Sequence, residues 1–415
     1  MTSALGIILL LLGGANASEK GSNKSLNALI NLALDTNPTL LGRIARADAQ
    51  KQVIPQSASL PEPKIFTNLV NVPVDSFSLN ETPMTQFQVG INQIFPFPGK
   101  LTLKESLAQV QYMSNKSMID HDKMMLIREL KHSWWQIYYL DRWYDAVESS
   151  RSLLNEAVDV AQTKYSVGKG NQHDILLANI EHAKLEDRLA YIKFLRKKES
   201  AKIRDIINKP ISFDIEPEQD QASALPMIQK IELLIETAME RHPLLKIAGE
   251  KLNAAQGNID LAEKEYYPDF NLGALYGWRQ DDSGLASVKV SFNLPFFTEN
   301  RQDKKLLQRQ LEKRQQLHHV VDVKNHLQNL ISVSFAKYEH AKNQAEIYRQ
   351  KILPQATQSV DTVLANYQVN KADFSMLIQA QINLIDFKAN KWKAISTAQQ
   401  ALAVLEYAVA GEIKK

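Results

Sequence analysis

Few residues in this sequence have the types and spacing that catalysis or metal binding would require. The most suggestive set is a group of histidines, since His319 and His326 lie on one face of a predicted helix and His318 is adjacent to them. A solvated helix surface explains this pattern better than a metal site, so we expect neither a bound metal nor a cofactor. The chain has no cysteine, which excludes disulfides, thiol catalysis and cysteine-type zinc sites. No GxSxG, P-loop or HExxH pattern occurs, so the sequence offers no catalytic residue and does not indicate an enzyme.

Two aspartates, Asp174 and Asp373, begin predicted helices after short turns. Each turn follows a helix with a related ending, Tyr165–Lys169 in one case and Tyr367–Lys371 in the other. Gly168 and Asn370 occupy the position where the end of a helix requires a left-handed residue, and both residue types tolerate that conformation. The aspartates could line a polar constriction or could simply cap the helix starts, and the sequence leaves both roles open.

The elements that carry these turns occur twice in the chain. Pro38 and Pro243 lie in matching segments 205 positions apart, Pro96 and Pro295 lie 199 apart, and the two tyrosine turns lie 202 apart. Anchors in the same order indicate an internal duplication. Each half is predicted to contain a helix, two strands, a very long helix and a final helix, with the first repeat at 18–208 and the second at 228–415. A polar, proline-containing linker spans 209–227.

Four segments are predicted to be strands, namely 64–72, 84–95, 269–278 and 284–294. The last three alternate between apolar and polar residues, while 64–72 is a weaker case with apolar residues on both faces. This alternation over about ten residues is typical of an outer-membrane barrel strand, with apolar side chains toward lipid and polar side chains toward the lumen. A half-buried soluble sheet would alternate in the same way.

The predicted helices are unusually long. Residues 100–166 contain no proline or glycine. Residues 301–369 contain no glycine and a single proline, Pro354, which we expect to kink the second helix. Either stretch would reach about 100 Å if it were helical throughout. Shorter helices are predicted over about 24–59 and 173–208. Apolar positions in the first long helix, such as Leu154, Val158 and Ala161, recur at three- and four-residue steps, which indicates coiled-coil packing.

The N-terminus resembles a secretory signal over residues 1–17. An apolar run from Ala4 to Leu12 is followed by Ala15-Asn16-Ala17, which has the small residues of a cleavage site. No other run approaches the ~18 apolar residues of a membrane-spanning helix. The net charge is +3 with both signs interspersed, which disfavours a nucleic-acid partner.

Four membrane strands cannot form a closed wall, because an open edge in lipid would leave backbone groups without partners. Transmembrane barrels begin at about eight strands. Very long helices likewise need neighbours of the same kind. Both requirements are met if several identical chains share one barrel and one helical tube.

The doubled plan, the Tyr165–Gly168 turn and the run Phe95–Lys100 resemble the TolC-type outer-membrane efflux family. The Pro-Phe-Pro-Gly-Lys stretch is most similar to its heavy-metal branch. The resemblance implies a mainly α fold with a small β part, in which a homotrimer shares a twelve-stranded transmembrane β-barrel and a periplasmic α-barrel. It also implies a Gram-negative outer-membrane location extending into the periplasm, a periplasmic membrane-fusion adaptor, an inner-membrane RND-type pump, and passive export of heavy-metal cations. The alternatives are a drug, organic-solute or type I secretion channel of the same fold, or a soluble periplasmic coiled-coil scaffold.

The resemblance also suggests roles for particular residues. The residues expected to contact the adaptor lie at the two tips, namely Val167, Gly168, Lys169, Val369, Asn370 and Lys371. Candidates for the pore gate are Tyr367, Asp174 and Asp373. The family's lock arginine falls on Ala372 and an acidic pore position falls on Met376, so any gate must use other contacts. Strand-to-helix turns are expected at Pro96, Pro98, Gly99 and Pro295, for which fixed φ angles and missing N–H donors are suitable.

Overall fold

The computed structural model describes residues 25–209, 225–280 and 283–413. The predicted signal segment 1–17 and most of the predicted linker lie outside these ranges. The chain divides into two compact units. Unit 1 comprises residues up to 33, 133–224 and 345–396, and unit 2 comprises 34–132, 225–344 and 397–415.

The described residues of the first half form four helices and two strands. The helices are α1 (Leu26–Thr36), α2 (Pro38–Ala58), α3 (Lys100–Ser166) and α4 (Gln172–Ile207), and the strands are β1 (Lys64–Val70) and β2 (Gln86–Phe95). The sequence predicted one helix over about 24–59, whereas α1 ends before Asn37. The break arises because Pro38 disfavours helical geometry at Asn37, whose side-chain Oδ1 instead accepts the Leu40 N–H at 3.0 Å and caps α2.

The second half repeats this order. It contains α5 (Ile231–Arg241), α6 (Pro243–Lys264), β3 (Phe270–Trp278), β4 (Leu285–Phe292), α7 (Gln302–Ile347), α8 (Leu353–Gln368) and α9 (Phe374–Ala408). A π-helical turn at Tyr348–Ile352 separates α7 from α8, so the predicted long helix is interrupted just before Pro354. Pro354 cannot donate to a carbonyl one turn back and would clash with it, and the wider π turn accommodates both effects.

The four strands form one antiparallel sheet in unit 2, in the order β1-β2-β3-β4. The strands of the two repeats meet at the β2–β3 pair, where Phe87 lies opposite Trp278 and Phe95 lies opposite Phe270. The observed strands end within two residues of the predicted bounds. Strands β1 and β4 are the sheet edges, and neither has an outer neighbour among the described residues.

The two units have separate hydrophobic cores. In unit 1, Leu140, Leu154 and Leu189 pack with Phe374 and Leu377. In unit 2, the core forms around Leu234, Ile331, Tyr338 and Leu405. Across the described ranges, no helix is both long and apolar enough to cross a membrane.

Candidate functional site

The helix ends that follow Tyr165 and Tyr367 have the same backbone geometry. Gly168 and Asn370 have φ angles of 71° and 60°. Lys169 N–H donates to Lys164 C=O at 2.8 Å, and Lys371 N–H donates to Asn366 C=O at 2.8 Å. Each turn is a Schellman motif with the left-handed residue in the same place, as the 202-residue offset predicted.

The two tips of unit 1 contact each other through Lys164, which sequence reasoning missed. Its ammonium group lies 3.9 Å from the centroid of the Tyr367 ring and donates to Asn370 Oδ1 at 2.8 Å. It also donates to the Tyr367 backbone carbonyl. One lysine of the first repeat therefore binds both the ring and the turn of the second.

Tyr367 is buried, with 3% of its surface exposed, and its ring centroid lies 5.3 Å from that of Phe374. Burial, followed by the negative charge of nearby Asp174, raises the pKa of Tyr367 to about 12. The phenol is therefore neutral at physiological pH. Asp174 lies in the first turn of α4, while Asn171 caps that helix by accepting the His173 N–H at 3.2 Å. Asp174 thus lies beside Tyr367 and is not the cap of its own helix.

The other predicted tip residues lie on the surface. Val167 and Val369 are 62% and 61% exposed, which is high for apolar side chains. Gly168, Lys169, Asn370 and Lys371 are exposed as well. Asp373 is exposed immediately before α9, and its carbonyl accepts the Met376 N–H at 3.1 Å. The two tips therefore present a pair of exposed valines beside turns of matching shape.

The residues between β2 and α3 anchor the first long helix to the sheet. Gly99 has a φ of 90°, and Lys100 begins α3 directly after it. Lys100 Nζ lies 2.7 Å from Asp269 Oδ1, and the same oxygen accepts the Phe97 N–H at 2.8 Å. The Phe97 ring stacks on Tyr267 with centroids 4.5 Å apart. The Pro96–Lys100 motif thus holds the start of α3 against the segment that enters β3, and Pro96 and Pro98 lie in the turn itself.

The corresponding junction after β4 is open. Pro295 is half-buried, but Phe296 and Phe297 are 77% and 87% exposed. The carbonyl of Thr298 accepts the N–H groups of Arg301 and Asp303 at the start of α7. The second repeat therefore has no counterpart of the Phe97–Tyr267 stack among the described residues.

A buried histidine caps α6 in unit 2, and sequence reasoning missed it. His242 is 0% exposed, and its Nδ1 accepts the Leu244 N–H at 3.2 Å. Its ring lies 6.3 Å from that of His121 and 5.4 Å from that of Tyr407. Burial, followed by the charge of His121, lowers the pKa of His242 to about 4. His242 lies 205 positions after Asn37, so the duplication could have identified it as a cap.

The histidines that the sequence singled out all lie on α7. His318 and His326 are exposed and His319 is half-buried. Within the described ranges, no group of three or more His, Asp or Glu side chains is arranged to hold a metal ion.

Sequence and structure comparisons place these features in a wider context. Residues 234–411 match the family model described as outer membrane efflux protein. The outer membrane efflux protein BepC of Brucella suis biovar 1 (strain 1330) is 21% identical, with the alignment covering 97% of this chain and 88% of BepC.

Several solved structures share the fold. The outer-membrane channel OprN has a TM-score of 0.80 at 14% identity, covering 93% of this chain and 90% of OprN. CusC has the same score and identity, covering 93% of this chain and 92% of CusC. The outer membrane protein VceC of Vibrio cholerae has a TM-score of 0.76 at 16% identity, covering 94% of this chain and 97% of VceC. Residues 234–411 thus match the outer membrane efflux protein family, and nearly all of the chain shares the fold of solved outer-membrane channels.

Proposed function

We propose that this protein is the outer-membrane exit duct of a tripartite efflux system and works as a homotrimer. Outer membrane efflux proteins are passive conduits of the Gram-negative outer membrane and not enzymes, and residues 234–411 of this chain match their family model. The sheet is the observation that carries the proposal. It has one mainly apolar face and one mainly polar face, and neither of its edge strands has an outer neighbour among the described residues.

The apolar face is unusual for a sheet in water. Large side chains on it are exposed in every strand, including Ile65 in β1, Phe87 in β2, Trp278 in β3 and Val288 in β4. Exposed apolar surface of this extent marks a contact with lipid or protein. Lipid suits this face because aromatic residues also lie near its ends, as expected at a membrane interface.

The unpaired edges call for further copies of the chain. Backbone N–H and C=O groups at the outer edges of β1 and β4 would have no hydrogen-bond partners in lipid. Only a closed barrel wall avoids the free-energy cost of leaving these groups unpaired. Three chains supply twelve strands, which is within the range of known transmembrane barrels. The edges of each copy then pair with those of its neighbours.

The tips fit a role in docking and gating. The proposed adaptor contact consists of the exposed tip residues Val167, Gly168, Lys169, Val369, Asn370 and Lys371. Lys164 binds Tyr367 beside Asp174. The arginine that forms the lock in the TolC-type family falls on Ala372 here, so Lys164 provides the positive charge instead. We therefore assign the closed-state lock to Lys164, Tyr367 and Asp174, and assign Asp373 to the surface of the mouth. An inner-membrane RND-type pump would supply the energy.

Heavy-metal cations are the proposed cargo, on the strength of the Pro96–Lys100 resemblance alone. The residues of that motif have structural contacts of their own, so the cargo needs a separate test. Deletion of the gene should sensitise cells to metal ions such as copper or zinc. Sensitisation to organic drugs with unchanged metal tolerance would instead select a drug-efflux channel of the same fold.

The assembly is tested by purifying the full chain in detergent and measuring its mass. We expect a complex of three chains of 47.0 kDa, less any cleaved leader, that conducts ions in planar bilayers. A monomer that stays in solution without detergent would contradict the proposal and favour a periplasmic scaffold. Deleting 84–95 and 284–294 should abolish membrane association while leaving the helix content high.

A further inference from the structure

We propose that Lys64 and Lys289 give the lumen of the strands a preference for anionic over cationic solutes. The inference rests on the proposed function, because it requires the polar face of the sheet to line a water-filled passage. It concerns the sign of the charge on that face, which the family resemblance does not specify.

The two lysines lie on one row that crosses the whole sheet. Lys64 in β1 is opposite Asn92 in β2, Asn92 is opposite Gly273 in β3, and Gly273 is opposite Lys289 in β4. Directly opposed residues of antiparallel strands point to the same face. The row therefore places a lysine at each edge of the sheet and small or neutral residues between them.

This row belongs to the polar face. The neighbouring rows on that face contain Asn68, Gln88, Asn271, Ser287 and Ser291, and alternation sends Ile65, Ile91, Leu272 and Val290 to the opposite face. In lipid the apolar face must point outward, so both lysines face the lumen.

No acidic residue offsets these charges within the sheet. Strands β1 to β4 contain Lys64 and Lys289 and no aspartate, glutamate or arginine. Both lysines are exposed, and lysine side chains are positively charged at neutral pH. Three chains would thus place six positive charges on the wall of one passage.

The middle of the row has no side chain at Gly273, where Asn92 and Lys289 approach the backbone. A Cβ at that position would lie 3.2 Å from Asn92 Oδ1 and 3.7 Å from Lys289 Cβ. The next row of the same face is more apolar, since the Phe66 ring covers Gly90 there and Leu275 lies opposite Gly90 in β3. Rings of lysine or arginine side chains are a known source of anion selectivity in pores. A cation driven through by a pump would cross this stretch against the local field.

The absence of cysteine from the chain allows a direct test in the whole protein. Asn92→Cys places a single thiol beside Lys64, and thiol-reactive methanethiosulfonates are available with either a sulfonate or a trimethylammonium group. We expect the anionic reagent to modify this thiol about fivefold faster than the cationic one, relative to their rates with a free thiol. Intact cells serve as the sample. In the proposed channel, the reagents reach the strands from outside the cell whether or not the periplasmic tips are open.

Two pairs of lysine substitutions, each added to the Asn92→Cys protein, test whether the lysines cause the difference in rate. Adding Lys64→Gln and Lys289→Gln should bring the rate ratio close to that of the free thiol, while Lys64→Arg and Lys289→Arg should preserve it. Ile91→Cys, one residue away on the apolar face, should resist both reagents.

The outcomes separate the inference from the proposed function. Modification of Asn92→Cys with equal rates, or with a ratio that the glutamine pair leaves unchanged, would overturn the charge preference and leave the channel intact. If Asn92→Cys resisted both reagents while Ile91→Cys reacted, the faces would be reversed, and both proposals would fail.

Discussion

Lys100 Nζ lies 2.7 Å from Asp269 Oδ1 and so joins the first residue of α3 to the residue that precedes β3. The two residues belong to different repeats, 169 positions apart. The Lys100 side chain is 9% exposed and that of Asp269 is 44% exposed. The contact fixes where the first long helix leaves the sheet, and the stacking of Phe97 on Tyr267 supports it.

Removing this carboxylate should destabilise the protein. Asp269→Ala leaves the buried Lys100 ammonium without its charged partner and the Phe97 N–H without an acceptor, and we expect a loss of about 1–3 kcal/mol. Asp269→Asn keeps an oxygen acceptor and should cost less. Urea unfolding of the detergent-solubilised protein, followed by circular dichroism, measures both effects.

A matched control is available four residues before Asp269 in the chain. Glu265 pairs with Lys305, but that lysine is 41% exposed, so Glu265→Ala should change stability by less than about 1 kcal/mol. Equal losses for Glu265→Ala and Asp269→Ala would show that the Lys100 contact has no special role.

The lock at the tips predicts a change in conductance. Lys164→Met removes the ring contact with Tyr367 and the hydrogen bond to Asn370, and should raise the open population by about tenfold or more. Single-channel recording of the purified protein in planar bilayers provides the measurement.

Two further variants sharpen the comparison. Lys169→Met removes an exposed lysine from the same turn, and it should leave the conductance unchanged. Asn370→Gly retains the left-handed turn but loses the Lys164 acceptor, so its effect should be intermediate. Wild-type conductance in Lys164→Met would assign the closed state to other residues.

The buried cap predicts a loss of stability in acid. His242 has a folded-state pKa of about 4, below the ordinary histidine pKa of 6.5, so the unfolded chain binds more protons between these pH values. The contribution of neutral His242 to the stability of the folded protein is complete above about pH 6.5. It is lost as the pH falls toward 4, where the free energy of unfolding is lower by about 3 kcal/mol. Protonation also prevents Nδ1 from accepting the Leu244 N–H and places a charge near the His121 ring.

Asn37 suggests the control for this prediction, since it caps α2 at the equivalent position. His242→Asn should retain a cap without titrating, so its unfolding free energy should fall less between pH 7 and pH 4 than that of the wild type. Parallel pH profiles for the two proteins would contradict the assignment.

The sequence predicted the features that depend on local pattern. Period-two alternation located the four strands, and the repeat offset placed Gly168 and Asn370 at equivalent turns because each supplies the left-handed residue that ends a helix. The sequence prediction missed the helix breaks at Asn37 and His242, although the proline after each residue signals them.

Contacts between distant residues could not be predicted in this way. Lys164 and Tyr367 are 203 positions apart, and their contact depends on how α3 and α8 pack in unit 1. His242 resembles a surface histidine in sequence and is buried only because His121 and Tyr407 pack around it. No pattern along a single chain encodes such neighbours.

The central claim is that copies of this chain close one wall by pairing β4 with β1. The β2–β3 pair provides the template, because Phe95 lies opposite Phe270. Shifting these residues by the repeat offsets of 199 and 205 aligns Leu294 with Ile65, and hence Phe292 with Thr67. When the β1–β2 pairing is shifted by the same offsets, it differs from the β3–β4 pairing by two residues. A shift of the same size at the β4–β1 edge would place Leu69 opposite Phe292, so Leu69 is the other candidate partner.

Cysteine cross-linking across that edge tests the claim most directly, because the native chain contributes no thiols of its own. Phe292→Cys combined with either Thr67→Cys or Leu69→Cys should form disulfides in the membrane, giving covalent dimers and trimers and nothing larger, while the single-cysteine variants stay uncoupled. If both pairs gave only monomers, or a ladder extending beyond three chains, the closed three-chain wall would be contradicted.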